Sequence, residues 1–185
     1  MIEDVLEETR ERMGKSEKAF ENEMAKVRTG RASQSMMDSV VVDYYGAQTP
    51  LSQMATISVP ESRLLTIKPW DVSVIGQVEK AIHKANLGLT PSSDGKLIRI
   101  SIPPLTEERR KDIAKTVAKT CEDYKVAVRN IRRDSNEMLK ELQKDGDISE
   151  DDSFKGQKQV QDLTDKYIKR LDDIYAAKEK EVLEV

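Results

Sequence analysis

Three stretches of this chain carry apolar residues at steps of three and four, the spacing of one helix face, and the first is separated from the other two by a segment of different character. The first runs Ile2, Val5/Leu6, Thr9, Met13, Phe20, Met24 and Val27, with Ser16 filling one slot. The second runs Ile113, Val117, Cys121, Tyr124, Val128, Ile131, Ser135, Met138 and Leu142, and the third Val160, Leu163/Thr164, Tyr167, Leu171, Ile174, Lys178 and Val182. A long helix with a single apolar stripe is marginal alone and must bury that stripe against another. The economical solution is one three-helix bundle built from all three.

Start and stop signals bound the helices. The first is expected to end near Thr29-Gly30, where glycine can take a left-handed conformation. The second opens after Pro103-Pro104 at Thr106-Glu107-Glu108, where a hydroxyl cap precedes carboxylates suited to the positive end of the helix dipole. A turn at Lys144-Asp145-Gly146-Asp147 leads to the third, which opens at Ser149-Glu150-Asp151-Asp152.

Between the first and second helices the period changes. VVVDYYG (Val40–Gly46), ATISV (Ala55–Val59) and RLLTIKPW (Arg63–Trp70) are β-branched or aromatic runs, with turns expected at Gly46, Thr49-Pro50 and Pro60-Glu61-Ser62. Asp71 to Ala85 reads as a helix, and LGLTPSSDGKLIRISI (Leu87–Ile102) as a hairpin turning at Pro91–Gly95. The predicted fold class is α+β: a bundle of residues 1–29 and 106–185, with a small α/β domain, 31–104, inserted between the first and second long helices. Two hinge linkers join them, one at Thr29, Gly30 and Arg31, the other at Pro103, Pro104 and Leu105.

Composition agrees with long solvated helices: 35% of the 185 residues are charged and only 4% aromatic. No apolar run is long enough to span a membrane, the N-terminus MIEDVLEETRERM lacks the apolar core of a secretory signal, and Cys121 has no partner cysteine. A soluble cytoplasmic chain is expected. Enzymatic constellations are missing. His83 is the single histidine, Cys121 occupies an apolar seam position, and no glycine-rich phosphate loop occurs. The acidic run Glu150-Asp151-Asp152 lacks calcium-loop spacing and marks a helix start. Trp70 is expected to anchor the small domain's core, with an exposed stacking aromatic as the alternative. No catalysis, metal or cofactor is predicted.

The net charge of -3 conceals a pattern. Residues 1–25 balance to -4 and 141–185 to -5, whereas 26–33 and 105–140 each balance to +3. Field effects follow such local clusters more than the total. With Val128 set to zero on a helical wheel, Arg132 falls near 40°, Lys125 near 60°, Arg129 near 100° and Arg133 near 140°, one stripe beside the apolar seam. Spacing alone fits an ion-paired surface as well as a binding face. Three features favour an acidic partner: arginine, whose planar fork suits phosphate, dominates the stripe; Arg109-Arg110-Lys111 extends it; and the compensating acids lie on the other helices. Without interleaved aromatics, phosphate contact is expected rather than base stacking.

KVRTGRAS, VVVDYYG, PPLTEERRKDIAK, VAVRNIRRDSNEM, ISEDD and KEKEVLEV stand in an order and spacing that closely resembles bacterial ribosome-recycling factors, essentially from end to end. The resemblance implies a three-helix bundle and a small α/β domain in an L shape, flexible at two linkers. It implies binding to large-subunit rRNA after termination, followed by subunit separation driven by elongation factor G and GTP. By motif, Arg110, Arg129 and Arg132 match the family's rRNA-contacting arginines. Arg28 and Arg31, at the linker end of the bundle, are further candidates, and Lys125 and Arg133 are helpers. Gln34 stands where the family commonly has proline. The chain is expected to act as a monomer. A helical adaptor or chaperone-like module that binds proteins through its bundle is the alternative reading.

Overall fold

The computed structural model describes residues 1–184; Val185, the last residue of the predicted bundle segment and of the KEKEVLEV motif, lies outside the described residues. The chain divides into two compact units, one of Met1–Val27 with the residues from Glu108 onward, the other of Arg28–Glu107.

The first unit consists of α1 (Ile2–Lys26), α3 (Glu107–Lys144) and α4 (Glu150–Leu183). The order within it follows from side-chain pairs. Thr9 meets Ser135 and Arg12 meets Asp134, so α1 and α3 are antiparallel. Arg170 meets Glu17 and the Tyr167 hydroxyl lies by Gly14, so α1 and α4 are parallel. Ser149 caps α4 by accepting from the Asp152 amide at 3.0 Å, and Gly146 takes φ +81 in the turn before it.

The bundle core is divided. Met13, Phe20, Met24, Val117, Cys121, Val128, Ile131, Tyr167 and Leu171 form one apolar cluster, and Val5, Leu6, Leu139 and Val160 another. Between them each helix contributes one buried hydroxyl: Thr9, Ser135 and Thr164, all at most 2% exposed. Each lies within hydrogen-bond distance of its own helix's carbonyl four residues back, at 2.6, 3.0 and 2.8 Å, and Thr9 and Ser135 also meet each other at 2.6 Å, so one of that pair gives its single proton to the other hydroxyl in place of its carbonyl. These are three of the polar residues that occupied apolar slots in the sequence; Ser16 and Lys178, the others, are half-buried.

The seams follow the predicted spacing with local shifts. Leu139, which the predicted seam passes over in favour of Met138, is fully buried, and Ser153 and Gly156 extend the buried face of α4 toward its start. A Cβ on Gly156 would meet the Leu139 methyls at 3.0 and 3.1 Å, so the missing side chain is what admits Leu139. Lys178, on the predicted seam, keeps its stem largely covered and pairs with Glu181 at 3.1 Å.

The second unit has its own core. A four-stranded antiparallel sheet of order β3-β4-β6-β5 comprises β3 (Ala55–Glu61), β4 (Leu64–Pro69), β6 (Ile98–Ser101) and β5 (Pro91–Ser93). A separate hairpin pairs β1 (Val41–Tyr44) with β2 (Ala47–Pro50), and α2 spans Ile75–Lys84. Alternate strand residues (Leu65, Ile67, Ile98, Ile100) meet Val74, Val78 and Ile82 in one apolar cluster.

Several sequence expectations need correction here. Thr49-Pro50 is not a turn but the end of β2, paired back to Val41-Val42. The turn is Tyr45-Gly46, both with positive φ (50 and 85), the mirror-type geometry that matches strand twist. Strand β3 runs through Pro60 to Glu61, with an irregularity between Ser58 and Glu61 that accommodates the proline at a sheet edge. The last hairpin turns at residues 94–97 rather than 91–95. There the Asp94 carboxylate accepts from the Lys96 and Leu97 amides and from Arg99, at 3.0, 2.9 and 3.0 Å. Trp70 is not a core anchor. It is 67% exposed and donates its indole N–H to Thr56 Oγ1 at 3.0 Å.

The amide bonds hold the Asp94 carboxyl well down, from 3.8 to about 2. Its contribution to stability is complete above the ordinary value and is lost as pH falls through about 2. Acid titration followed by amide shifts of the β5–β6 turn should show this loss, and Asp94→Asn should abolish it. In the bundle, Leu139→Ala should cost about 2–5 kcal/mol and Gly156→Val about 1–3 kcal/mol, measured by denaturant unfolding.

Candidate nucleic-acid interface

Helix α3 presents different chemistry on its two flanks because its charged residues recur at helical spacing. Asp112, Asp123, Asp134 and Glu141 fall on one flank, between about -160° and -120° from Val128. That flank borders α1, and Asp134 there accepts from Arg12 Nη2 at 2.7 Å. The opposite flank borders α4 and carries the predicted cations.

The four cations of the stripe have different surroundings. Lys125 is drawn inward: its side chain is 18% exposed and its ammonium pairs with Asp172 on α4. The hydrogen bond that it donates to Asp172 is the main reason the Lys125 ammonium is held above its ordinary value, against a smaller opposing effect of burial. Arg129 donates to Glu122 Oε1, two turns back on its own helix, at 3.1 Å. Arg132 has a neutral partner, donating from Nη1 to Gln161 Oε1 at 3.4 Å. Arg133 is exposed and makes no ion pair among the described residues. The stripe is therefore half compensated: Lys125 and Arg129 have carboxylates, while Arg132 and Arg133 keep their charge.

Of the other predicted contacts, Arg110 is half-buried at the start of α3 and has no ion pair among the described residues. Arg28 is the first residue of the second unit, immediately after the bundle segment, and Arg31 also lies in that unit. Arg28 donates to the Leu87 carbonyl at 2.7 Å, which ties it to the small unit's own backbone. Arg31 is half-buried.

Further cations on this flank were missed. Lys115, Lys119 and Lys140 project near 140°, 180° and 120°, on the same flank as Arg133. All are exposed, and none makes an ion pair among the described residues. Extending the helical wheel beyond the four clustered cations would have found them. Glu108, Glu122 and Glu137 share the flank, so it is predominantly but not wholly basic. Exposed lysines and arginines spread along one side of a helix 38 residues long can follow a phosphate backbone, in which charges recur at short intervals.

Among the described residues nothing else competes as a site for chemistry. Cys121 is 3% exposed with Sγ 3.9 Å from the Leu171 carbonyl, and burial pushes its thiol up, away from the reactive thiolate. His83 lies exposed in the last turn of α2. Among the described residues no group of His, Cys, Asp and Glu is arranged to hold a metal ion. No described helix is long and apolar enough to cross a membrane.

Comparison with known proteins agrees with this picture. A family model described as "Ribosome recycling factor" matches residues 20–183. The ribosome-recycling factor of Desulforapulum autotrophicum is 66% identical over 185 residues, covering all of both chains. That of Bacillus licheniformis is 57% identical and covers 98% of each. A solution structure of ribosome recycling factor superposes with TM-score 0.82 at 41% identity, covering 100% of this chain and 98% of that one. A second similar structure, at TM-score 0.68 and 41% identity with full coverage of both chains, is titled as Thermus thermophilus ribosome recycling factor and Escherichia coli elongation factor G bound to the Escherichia coli post-termination complex. With a family model over most of its length and relatives matched from end to end, this chain belongs to the ribosome-recycling factor family.

Proposed function

We propose that this chain binds the post-termination ribosome and, with elongation factor G and GTP, promotes separation of the subunits and release of mRNA and tRNA. The observation that carries the reading is the basic flank of α3, with uncompensated arginines on a member of this family. The flank holds the large subunit through its rRNA phosphates, with Arg110, Arg132 and Arg133 as the principal contacts. Arg129 contributes by exchanging Glu122 for phosphate. Lys125 serves mainly to join α3 to α4. The protein acts by binding and displacement as a cytoplasmic monomer, and it catalyses no covalent step of its own.

The two passages of chain between the units serve as the hinge, through Thr29, Gly30 and Arg31 on one and Pro103, Pro104 and Leu105 on the other. Their local structure supports this role. Gly30 has φ +77, and a Cβ there would meet Leu105 Cγ at 3.2 Å, so the passages touch. Each is then fastened to the same hairpin: the Ala32 amide donates to the Ser62 carbonyl at 2.7 Å, and Ile102 to Arg63 at 2.8 Å. Gln34, in place of proline, donates from Nε2 to the Ile57 carbonyl at 2.9 Å and so fastens the first passage again. Two neighbouring strands anchored on one body resist twisting yet permit bending.

Arg132→Ala and Arg133→Ala should each weaken binding to large subunits and reduce the log–log salt slope by about 0.7–0.9, with little change in melting temperature. Lys125→Ala should do the reverse, lowering the melting temperature more than the affinity. A salt-insensitive association would point instead to a protein-binding adaptor. For the hinge, inserting glycine pairs after Arg28 and after Leu105 should leave large-subunit binding intact while subunit splitting by elongation factor G is lost. Full splitting activity would reject mechanical transmission through the linkers.

A further inference from the structure

Arg132 differs from its neighbours in having a partner that orients it without neutralising it. Its Nη1 donates to Gln161 Oε1 on α4, and no carboxylate lies within ion-pair range of it among the described residues. Gln161 is itself held: its Nε2 donates to Asp165 Oδ1, one turn further along α4, at 2.8 Å. A side-chain amide can present oxygen or nitrogen to a neighbour, and the Asp165 carboxylate accepts only. The bond to Asp165 therefore commits the nitrogen and leaves the oxygen facing the guanidinium. The relay runs Asp165, Gln161, Arg132.

The consequence is electrostatic as well as geometric. Glu122 and Asp172 fix Arg129 and Lys125 by pairing, which cancels much of the charge those residues could offer an anion. A neutral acceptor takes one N–H of Arg132 and leaves its positive charge uncancelled, with its remaining N–H donors available to an anion. An arginine fork held in one orientation loses less freedom on meeting a phosphate, which strengthens binding without any added contact.

We infer that Gln161 is a positioning residue for rRNA binding, one that orients Arg132 while preserving its charge, with Asp165 setting the orientation of Gln161. This rests on the proposed role of Arg132 at the rRNA and adds to it a residue on a different helix.

Binding of the full-length chain to purified large ribosomal subunits, measured at several salt concentrations, tests it with Gln161→Leu and Gln161→Glu, each made alone and with Arg132→Ala. Gln161→Leu should weaken binding roughly two- to five-fold, the factor that goes with one modest hydrogen bond, and leave the salt slope unchanged. Gln161→Glu should weaken it further and flatten the slope toward that of Arg132→Ala, because the new carboxylate neutralises the guanidinium. Both effects should vanish when Arg132 is already alanine, and melting temperatures should hardly move. Parental affinity in both Gln161 variants, alongside a clear loss for Arg132→Ala, would overturn the inference alone. A loss of equal size with and without Arg132 would overturn it too, since it would reveal a structural role. Parental affinity in Arg132→Ala would instead reject the rRNA role of Arg132, and this inference with it.

Discussion

The contact between the Thr9 and Ser135 hydroxyls, 2.6 Å apart in the bundle interior, fixes the level at which α1 meets α3. Apolar seams alone specify register weakly, because one leucine or valine packs much like the next. Buried hydroxyls restrict the choices, since sliding by a turn would set them against methyl groups. Their own helices' carbonyls and the neighbouring hydroxyl give every proton an acceptor, so the layer costs little while it discriminates. Everything on the outside of α3 follows from that level. It places Arg12 beside Asp134, and the matching level on α4 places Asp172 at Lys125 and Gln161 at Arg132.

The same register sorts charge. One flank of α3 carries acids toward α1, and the other carries bases toward and beyond α4. A chain of net charge -3 thereby presents an extended basic surface, because its excess acid sits mainly at the ends of the sequence, in α1 and α4. Surface ion pairs contribute little to stability, commonly under about 1 kcal/mol. Their larger effect here is selective: a cation with a carboxylate neighbour is partly committed, and one without is available. Lys125 and Arg133, equivalent as members of a stripe, become opposites once α4 is in place.

Much of the fold was legible because helical periodicity is a long-range signal repeated many times. The α1 seam from Val5 to Met24 is buried where its spacing said except at Ser16, and in α4 Val160, Thr164, Tyr167, Leu171 and Val182 are buried while Leu163, Ile174 and Lys178 are half-buried. Misreadings arose where a single residue carries two meanings. Thr49-Pro50 has turn chemistry, yet a proline ending an edge strand lacks only a hydrogen bond that it does not need there. Trp70 looked like core because tryptophan is large and apolar, but its indole N–H requires an acceptor, and Thr56 supplies one at the surface. In the interface the cations themselves were visible, clustered around Arg129 and Arg132. Which of them remain uncompensated was not, because Asp172 and Gln161 lie on another helix and about thirty to fifty positions away, a separation only tertiary packing closes. Lys115, Lys119 and Lys140 were hidden for a different reason: they lie outside the local cluster and show only on the full-length wheel.

The contact of Gly30 with Leu105 has a consequence for chain entropy. Closing a long flexible excursion between two packed helices carries a cost that grows with its length. Here the excursion from Arg28 to Glu107 folds on its own core and brings its two ends into van der Waals contact. To the bundle, this whole stretch then behaves as a short tether, and α1 can find α3 and α4 almost as though the sequence between them were absent. A side chain at Gly30 would strain a backbone already at φ +77 and push that clasp apart, returning the length of the excursion to the bundle as disorder in the search.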